Sequence, residues 1–190
     1  MQTIITKSID GHKDALDLLS AQKPTIVKIA TLCITALKNG GKIVFMGNGG
    51  SAADAQHLAA ELVGRFKKNR KALPALAFNV NTSILTAIGN DYGYDDVFSR
   101  QVEGLVTNKD VVFGISTSGN SKNVVNAVKA AKAIGAKTVG FLGQDGGTLK
   151  ALVDIDFTIA SKDTPRVQEM HILAGHIICE AIETTLYPNA

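Results

Sequence analysis

The sequence predicts an α/β fold built on a parallel sheet of about five strands. Five short apolar runs recur along the chain, and strands that are covered on both faces are apolar nearly throughout. Segments with helical spacing of apolar residues separate these runs, as the crossover connections between parallel strands require. The predicted strands are 42–46, 75–80, 111–115, 138–142 and 155–159.

The helices are predicted from apolar residues spaced three and four apart. Residues 3–38 have this spacing, and Pro24 divides them because proline fits the first turn of a helix but not its interior. The last helix is predicted over 163–187, with Pro165 in its first turn. Between the strands, helical segments are predicted at 51–68, 82–88, 95–105 and 121–134, with a short turn at 147–152.

The size and composition indicate one globular domain. The chain has 190 residues, of which 45% are hydrophobic and 19% are charged. We predict a single domain over 1–190, with a helical N-terminal arm at 1–40 and a C-terminal helix at 163–187. The N-terminal helices carry more apolar positions than one buried face needs, which favours an oligomer.

Charge and apolar patterning exclude several classes of partner. The net charge of +3 is too small to indicate nucleic-acid binding. No apolar run approaches the roughly 18 residues that span a bilayer, and the N-terminus lacks the apolar core of a signal peptide. Cys33 and Cys179 lie in apolar helical patterns and are predicted to be buried thiols of a cytoplasmic protein. The one basic cluster is predicted to be the exposed end of a helix and contains Lys67, Lys68, Arg70 and Lys71.

The first predicted strand runs into a glycine-rich loop, Gly47-Asn48-Gly49-Gly50-Ser51-Ala52. This loop has the form G-x-G-x-x-A, but a dinucleotide site also needs an acidic residue at the end of the second strand. That strand ends Phe78-Asn79-Val80-Asn81, without a carboxylate, and no lysine precedes Ser51 as a P-loop requires. The free N–H groups at the start of the next helix favour an anion or a hydroxyl-rich ligand instead.

The third predicted strand ends in a loop that indicates phosphate binding. Four hydroxyl side chains occur within six residues, directly before a helix whose N-terminus attracts anions: Ser116, Thr117, Ser118 and Ser121. A helix cap alone would need only one or two of them. Because ligands of open α/β sheets lie beyond the carboxyl ends of the strands, this loop and the first one can face one crevice. Asn90 and Asp91 either join the same rim or form a plain turn.

Two helices carry polar residues that can meet in a cleft. His57 and Glu61 are four residues apart on one helix face, a spacing that also suits a surface hydrogen bond. Gln168 and His176 lie about 80° apart around the last helix, and His176 sits among apolar neighbours, where a core histidine is the alternative. Two imidazoles and a carboxylate suit zinc, although a glutamine oxygen is a poor zinc ligand.

The chain resembles the phosphoheptose isomerases of the sugar-isomerase (SIS) domain class. The motifs that carry this resemblance occur in family order from about residue 40 onward: GNGGSAADAQHLAAELVGRF, AIGNDYG, GISTSGNS, DGG and RVQEMHI followed by His176. Together they are highly specific. The resemblance implies a three-layer sandwich with a five-stranded parallel sheet and added N- and C-terminal helices. It also implies a homotetramer with active sites at subunit interfaces.

The resemblance further implies isomerisation of sedoheptulose 7-phosphate to D-glycero-D-manno-heptose 7-phosphate, the first step toward the heptose of lipopolysaccharide or related glycans. Carried over by motif, Glu61 and His176 are the catalytic acid–base pair. Part of the family binds zinc, and the residues of this chain that match its zinc ligands are His57, Glu61, Gln168 and His176. The implied phosphate ligands are Ser116, Thr117, Ser118 and Ser121. Other implied substrate ligands are Asn48, Gly49, Gly50, Ser51, Glu61, Asn90, Asp91 and Gln168.

Two alternatives belong to other functional classes. Bacterial proteins that associate with the replication initiator DnaA are similar to this chain in fold, and they lack the acidic residue and the histidine that this chain has as Glu61 and His176. The C-terminal sequence TLYP is similar to theirs. A sensor that binds a sugar phosphate without converting it is the other alternative. Pro165 stands where some isomerases carry an aspartate near the substrate.

Overall fold

The computed structural model describes all residues from 1 to 190 and contains five strands and eight α-helices. A short 3₁₀ helix, Tyr94–Asp96, lies between α4 and α5. The strands are β1 (Ile43–Gly47), β2 (Ala75–Ala77), β3 (Val111–Ser116), β4 (Lys137–Gly143) and β5 (Ile155–Ile159). The helices are α1 (Gln2–Ala21), α2 (Lys23–Lys38), α3 (Gly50–Val63), α4 (Thr82–Asp91), α5 (Ser99–Leu105), α6 (Lys122–Ile134), α7 (Gly147–Lys150) and α8 (Thr164–Leu186).

The five strands form one parallel sheet in the order β2-β1-β3-β4-β5. The predicted α/β fold with a five-stranded parallel sheet is therefore confirmed. The chain steps outward from β1 in one direction to β2 and then in the other direction through β3, β4 and β5. This reversal leaves a crevice between the carboxyl ends of β1 and β3, where open sheets of this kind bind ligands.

The sheet separates two hydrophobic cores because successive side chains of a strand point to opposite faces. In β1, Ile43 and Phe45 belong to the core shared with α1, α2, α3 and α8, whereas Val44 and Met46 belong to the core shared with α5, α6 and α7. Both β1 and β3 are buried along their whole length. The central strands therefore hold the crevice in a fixed position between two packed layers.

The N-terminal arm packs against the last helix. On α1, Ala15 and Leu19 are buried, and His12 Nδ1 lies 2.6 Å from Glu169 Oε2 of α8. Ile4, Ile5 and Ile9 on the same helix remain largely exposed. Gln22 breaks the arm between α1 and α2, two residues before the predicted division at Pro24.

Several element boundaries differ from those predicted. Helix α4 runs to Asp91 rather than 88, α5 begins at Ser99 rather than 95, and the ends of α3 and β2 differ as well. Helix α3 ends at Val63 rather than at residue 68, so the basic cluster lies in a loop. Within that loop the Arg70 side chain is fully buried, which contradicts the predicted exposed helix end. Strand β2 ends at Ala77 because the following residues turn into the cap of α4, where Asn81 Oδ1 accepts a hydrogen bond from the N–H of Ile84.

Cys33 and Cys179 are buried free thiols, as predicted. None of the helices has the length and apolar character that crossing a membrane would require.

Candidate active site

The first glycine loop leaves the sheet at the crevice between β1 and β3. Gly47 pairs in register with Ile115, and a Cβ atom at Gly47 would lie 2.9 Å from the Ile115 carbonyl oxygen. Gly49 has φ of +56°, a backbone conformation that favours glycine, and α3 begins at the next residue. The tight turn therefore brings the N-terminus of α3 directly to the carboxyl edge of the sheet.

Gln168 of α8 lies against the start of α3. A Cβ atom at Gly50 would be 2.6 Å from Gln168 Nε2 and 2.9 Å from Gln168 Oε1. Only glycine therefore leaves room for the Gln168 amide at this place. The structure thus brings three predicted substrate ligands together, namely Gly49, Gly50 and Gln168.

The second loop gathers the predicted phosphate ligands at the end of β3. Ser116 Oγ lies 3.0 Å from Ser121 Oγ and 3.4 Å from Ser118 Oγ. Ser116 is buried, whereas Thr117, Ser118 and Ser121 are half-buried. Gly119 has φ of +67° and packs so closely on the Gly146 carbonyl that a Cβ atom would lie 2.0 Å from it. The neighbouring glycine turn thereby holds the hydroxyl-rich loop in place in front of α6.

An amide pair joins the two loops. Asn48 Nδ2 donates to Asn123 Oδ1 and Asn123 Nδ2 donates to Asn48 Oδ1, both at 2.9 Å. The Tyr94 hydroxyl also donates to Asn48 Oδ1 at 3.1 Å. Sequence reasoning missed Asn123 and Tyr94. The sequence does carry a signal for Asn123, because its spacing places this polar residue on the same buried face of α6 as Ala127 and Ala131.

His57, Glu61 and His176 converge from two helices. His57 Nε2 is 2.9 Å from His176 Nε2 and 3.1 Å from Glu61 Oε1, and one ligand atom of each of the three residues lies within 4.8 Å of the others. His57 and Glu61 are on α3, and His176 is on α8. The predicted acid and base thus share one site, half-open to solvent.

The chemistry of these three donors fits a zinc ion. Two ligands of a tetrahedral zinc at about 2.1 Å lie roughly 3.4 Å apart. His57 Nε2 lies 2.9 Å from His176 Nε2 and 3.1 Å from Glu61 Oε1, which is close to that separation. Gln168 precedes His176 by eight residues, or about 12 Å of helix axis. Its amide lies at the opposite end of α3 from Glu61, so its role as a fourth ligand stays a prediction.

Phe66 and a buried ion pair support the His176 imidazole. The Phe66 ring stacks on His176 with 5.5 Å between centroids and 23° between planes. Glu183, 1% exposed, accepts hydrogen bonds from the N–H groups of Phe66, Lys67 and Lys68 and from Arg70 Nε at 2.9 Å. Arg70 in turn donates to the carbonyls of Glu61 and Leu62 at the end of α3, both at 2.8 Å. The Arg70–Glu183 pair therefore holds both Phe66 and the end of α3 in position beside His176.

Burial and hydrogen bonding shift the pKa values of two carboxyl groups near these residues. Burial alone would raise the pKa of Glu183, but the three N–H donors and the charge of Arg70 outweigh it and lower the pKa below its usual range. Burial raises the pKa of Asp54 to about 6, although the charge of His57 acts in the opposite direction. Asp54 Oδ2 is buried and accepts no hydrogen bond. Asp54 lies one turn before His57, and sequence reasoning did not single it out.

Two predicted substrate ligands and one buried histidine lie outside this group. Asn90 and Asp91 are exposed at the end of α4, and Asn90 Nδ2 donates to Asp91 Oδ1 at 2.8 Å. Neither side chain hydrogen-bonds to either loop within the chain. His171 is fully buried, and its Nε2 lies 3.0 Å from the Leu142 carbonyl oxygen. Because the only partner of that nitrogen is an acceptor, Nε2 carries the proton.

Residues 11–143 match the SIS domain family. A phosphoheptose isomerase of Geotalea uraniireducens is 53% identical over 96% of this chain and 97% of its own length. A phosphoheptose isomerase of Helicobacter hepaticus is also 53% identical, over 100% of this chain and 96% of its own length.

Solved structures of similar sequence have the same fold. The phosphoheptose isomerase GmhA of Neisseria gonorrhoeae superposes with a TM-score of 0.92 at 42% identity, covering 96% of this chain and 98% of that one. A phosphoheptose isomerase of Francisella tularensis superposes with a TM-score of 0.93 at 32% identity, with the same coverage. These superpositions confirm the predicted SIS-domain architecture.

Proposed function

Because the chain belongs to the phosphoheptose isomerase family of SIS-domain proteins, we propose that it converts sedoheptulose 7-phosphate into D-glycero-D-manno-heptose 7-phosphate. The chain is a sugar-phosphate isomerase of heptose synthesis. Its product would be the first intermediate on the way to ADP-heptose or GDP-heptose, the precursors of lipopolysaccharide and related surface glycans. We place the reaction in the cytoplasm.

The observation that carries the proposal is the meeting of Glu61 and His176. Ketose–aldose isomerisation moves a proton between neighbouring carbons through an enediol, so one group takes a carbon-bound proton while another serves the adjacent oxygen. Glu61 and His176 divide these two roles, approaching the substrate from α3 and α8. Phe66 and the Arg70–Glu183 pair hold them in position.

Remote contacts orient the reacting carbons. The hydroxyls of Ser116, Thr117, Ser118 and Ser121, together with the N-terminus of α6, bind the phosphate. Binding energy gained at the phosphate then positions the other end of the sugar against the acid and the base. Asn48, Ser51 and Gln168 contact the sugar hydroxyls between these two ends.

We also propose a homotetramer with sites between subunits, as the resemblance to the phosphoheptose isomerases implies. His57 and Glu61 follow Gly50 by seven and eleven residues, or about 10 and 16 Å along α3. The groups of one chain therefore extend along most of α3, and a neighbouring subunit would cover the exposed His57. Asn90, Asp91 and the exposed Ile4, Ile5 and Ile9 are available for such contacts.

Zinc fits the three converging donors and would be held by His57, Glu61 and His176, with Gln168 as the predicted fourth ligand. When bound, zinc would polarise the substrate carbonyl. Treatment with a chelator followed by metal addition tests this part. We expect activity to fall with zinc content and to return with zinc, and full activity of a metal-free sample would contradict a requirement.

Solvent deuterium provides a direct test of the reaction. Purified protein is incubated with sedoheptulose 7-phosphate in D₂O, and the sugars are followed by NMR. Proton exchange through an enediol should place deuterium at C2 of the aldose product, whereas unphosphorylated sedoheptulose should react far more slowly. A protein that binds the phosphorylated sugar without converting it would be a sensor, and a protein inert toward it would contradict the proposal altogether.

A further inference from the structure

The structure assigns Asn123 as a positioning residue that turns the Asn48 amide so that a nitrogen-bound proton, rather than the oxygen, is offered to the sugar. This inference rests on the proposed function, because its ligand is the proposed substrate. Asn123 is 3% exposed and lies in the first turn of α6, behind the phosphate-binding loop. Asn123 therefore acts on the substrate through Asn48 rather than by contacting it.

The orientation of Asn123 is set by the backbone. Its Oδ1 accepts from the N–H of Val124 at 2.9 Å, and a backbone N–H can only donate. A reversed Asn123 amide would place two donors against each other. The Oδ1 atom must therefore face Val124, and Nδ2 must be the group that reaches Asn48.

The orientation of Asn48 follows from that of Asn123. Asn48 Oδ1 accepts from Asn123 Nδ2 and from the Tyr94 hydroxyl, which uses both of its lone pairs. Asn48 Nδ2 donates one proton to Asn123 Oδ1, and no protein atom accepts the other. Asn48 is only half-buried, so this second proton is open to a ligand oxygen.

The arrangement predicts what the loop recognises. A fixed donor selects an acceptor, such as a hydroxyl or carbonyl oxygen, and it opposes a ligand that presents a donor alone. Asn123 also ties the sugar-facing loop to the helix behind the phosphate-binding loop. Through the amide pair, the distance between the two binding loops is held constant.

A double-mutant cycle tests this assignment. We expect Asn123→Ala to lower kcat/KM for sedoheptulose 7-phosphate by about 3- to 10-fold, mainly through KM, because the Asn48 amide can then rotate. Asn48→Ala should cost at least as much. If Asn123 acts through Asn48, the double variant should be no worse than Asn48→Ala within about 2-fold. Losses that multiply would overturn the inference, as would an Asn123→Ala variant with unchanged kinetics.

Two controls separate positioning from a general effect on the fold. Asn108→Ala removes an exposed asparagine at the opposite end of the sheet and should leave the kinetics unchanged. The affinity of Asn123→Ala for inorganic phosphate, which needs only the phosphate-binding loop, should also be unchanged. A parallel loss of phosphate affinity would show that Asn123 supports α6 rather than Asn48. A wild-type protein inert toward the sugar would contradict the proposed function itself, whereas an active one with multiplied losses would contradict only this inference.

Discussion

Glu61 is the residue on which the proposed chemistry depends most directly. Its side chain is one-fifth exposed, and its Oε1 lies beside His57 Nε2. We expect Glu61→Gln to lower kcat by about 10²- to 10⁴-fold, because the amide keeps the shape of the carboxylate but cannot take a proton. Steady-state kinetics with the phosphorylated sugar measures this effect.

Glu103→Gln on α5 is the matched control. Glu103 forms an exposed ion pair with Arg100, so its loss should leave both turnover and melting temperature nearly unchanged. Wild-type turnover in the Glu61→Gln variant would show that the Glu61 carboxylate does not take part in the reaction.

At the scale of elements, the β3–α6 loop is expected to bind the phosphate without a lysine. Hydrogen bonds to a charged group contribute about 1.5–3 kcal/mol each. The double substitution Ser118→Ala with Ser121→Ala should therefore raise KM for the sugar phosphate at least about 10-fold and change kcat less. Initial-rate kinetics separates the two constants, and an unchanged KM would exclude this loop as the phosphate site.

The loop after α3 provides a second prediction at this scale. Glu183→Ala would leave the buried Arg70 charge and three N–H groups without their acceptor, a change that typically costs about 3–5 kcal/mol. We expect a markedly lower melting temperature. We also expect lower turnover below that temperature, because Glu183 would no longer hold Phe66 in its stacked position on His176. Glu180→Ala on the same helix removes an exposed partner of Lys67 and should change stability little. Equal stability of the two variants would contradict the supporting role of Glu183.

Local patterns predicted the elements well, because apolar periodicity and the glycine and proline positions reflect local chemistry. The five strands, seven of the eight helices and the convergence of His57, Glu61 and His176 were within reach of the sequence. The end of α3 was not, because Glu183 lies more than a hundred residues further along the chain and draws the N–H groups of Phe66, Lys67 and Lys68 out of helical bonding. The amide pair of Asn48 and Asn123 was missed for the same reason, since neither residue alone reveals its partner.

For the whole molecule, acid stability is the property that His171 should govern most clearly. Burial lowers the pKa of His171 to about 4, although its hydrogen bond to Leu142 acts in the opposite direction. In the unfolded chain this histidine has its ordinary pKa of 6.5. Neutral His171 therefore makes its full contribution to folding stability above pH 6.5. Up to about 3 kcal/mol of that contribution is lost as the pH falls from 6.5 toward 4.

Denaturant unfolding as a function of pH tests this prediction. His171→Gln cannot titrate, and its amide nitrogen can still donate to the Leu142 carbonyl, so the variant should lose less stability than the parent as the pH falls through this window. The remaining pH dependence belongs to four carboxyl groups. Asp54, whose pKa is raised to about 6, stabilises the folded form as the pH falls through that value. Glu183, Asp110 and Asp154 have lowered pKa values, so their protonation costs stability only at still lower pH. Identical slopes for the variant and the parent would exclude His171 as the cause.

Helix α8 lines the larger of the two cores and also carries His176. It follows both the glycine loop and the serine loop in the chain, so during synthesis both loops are made first. Until α8 is made, the larger core lacks Val167, Met170 and Ile178, and His176 cannot meet Glu61. One helix therefore completes the core and the proposed acid–base pair at the same stage of folding.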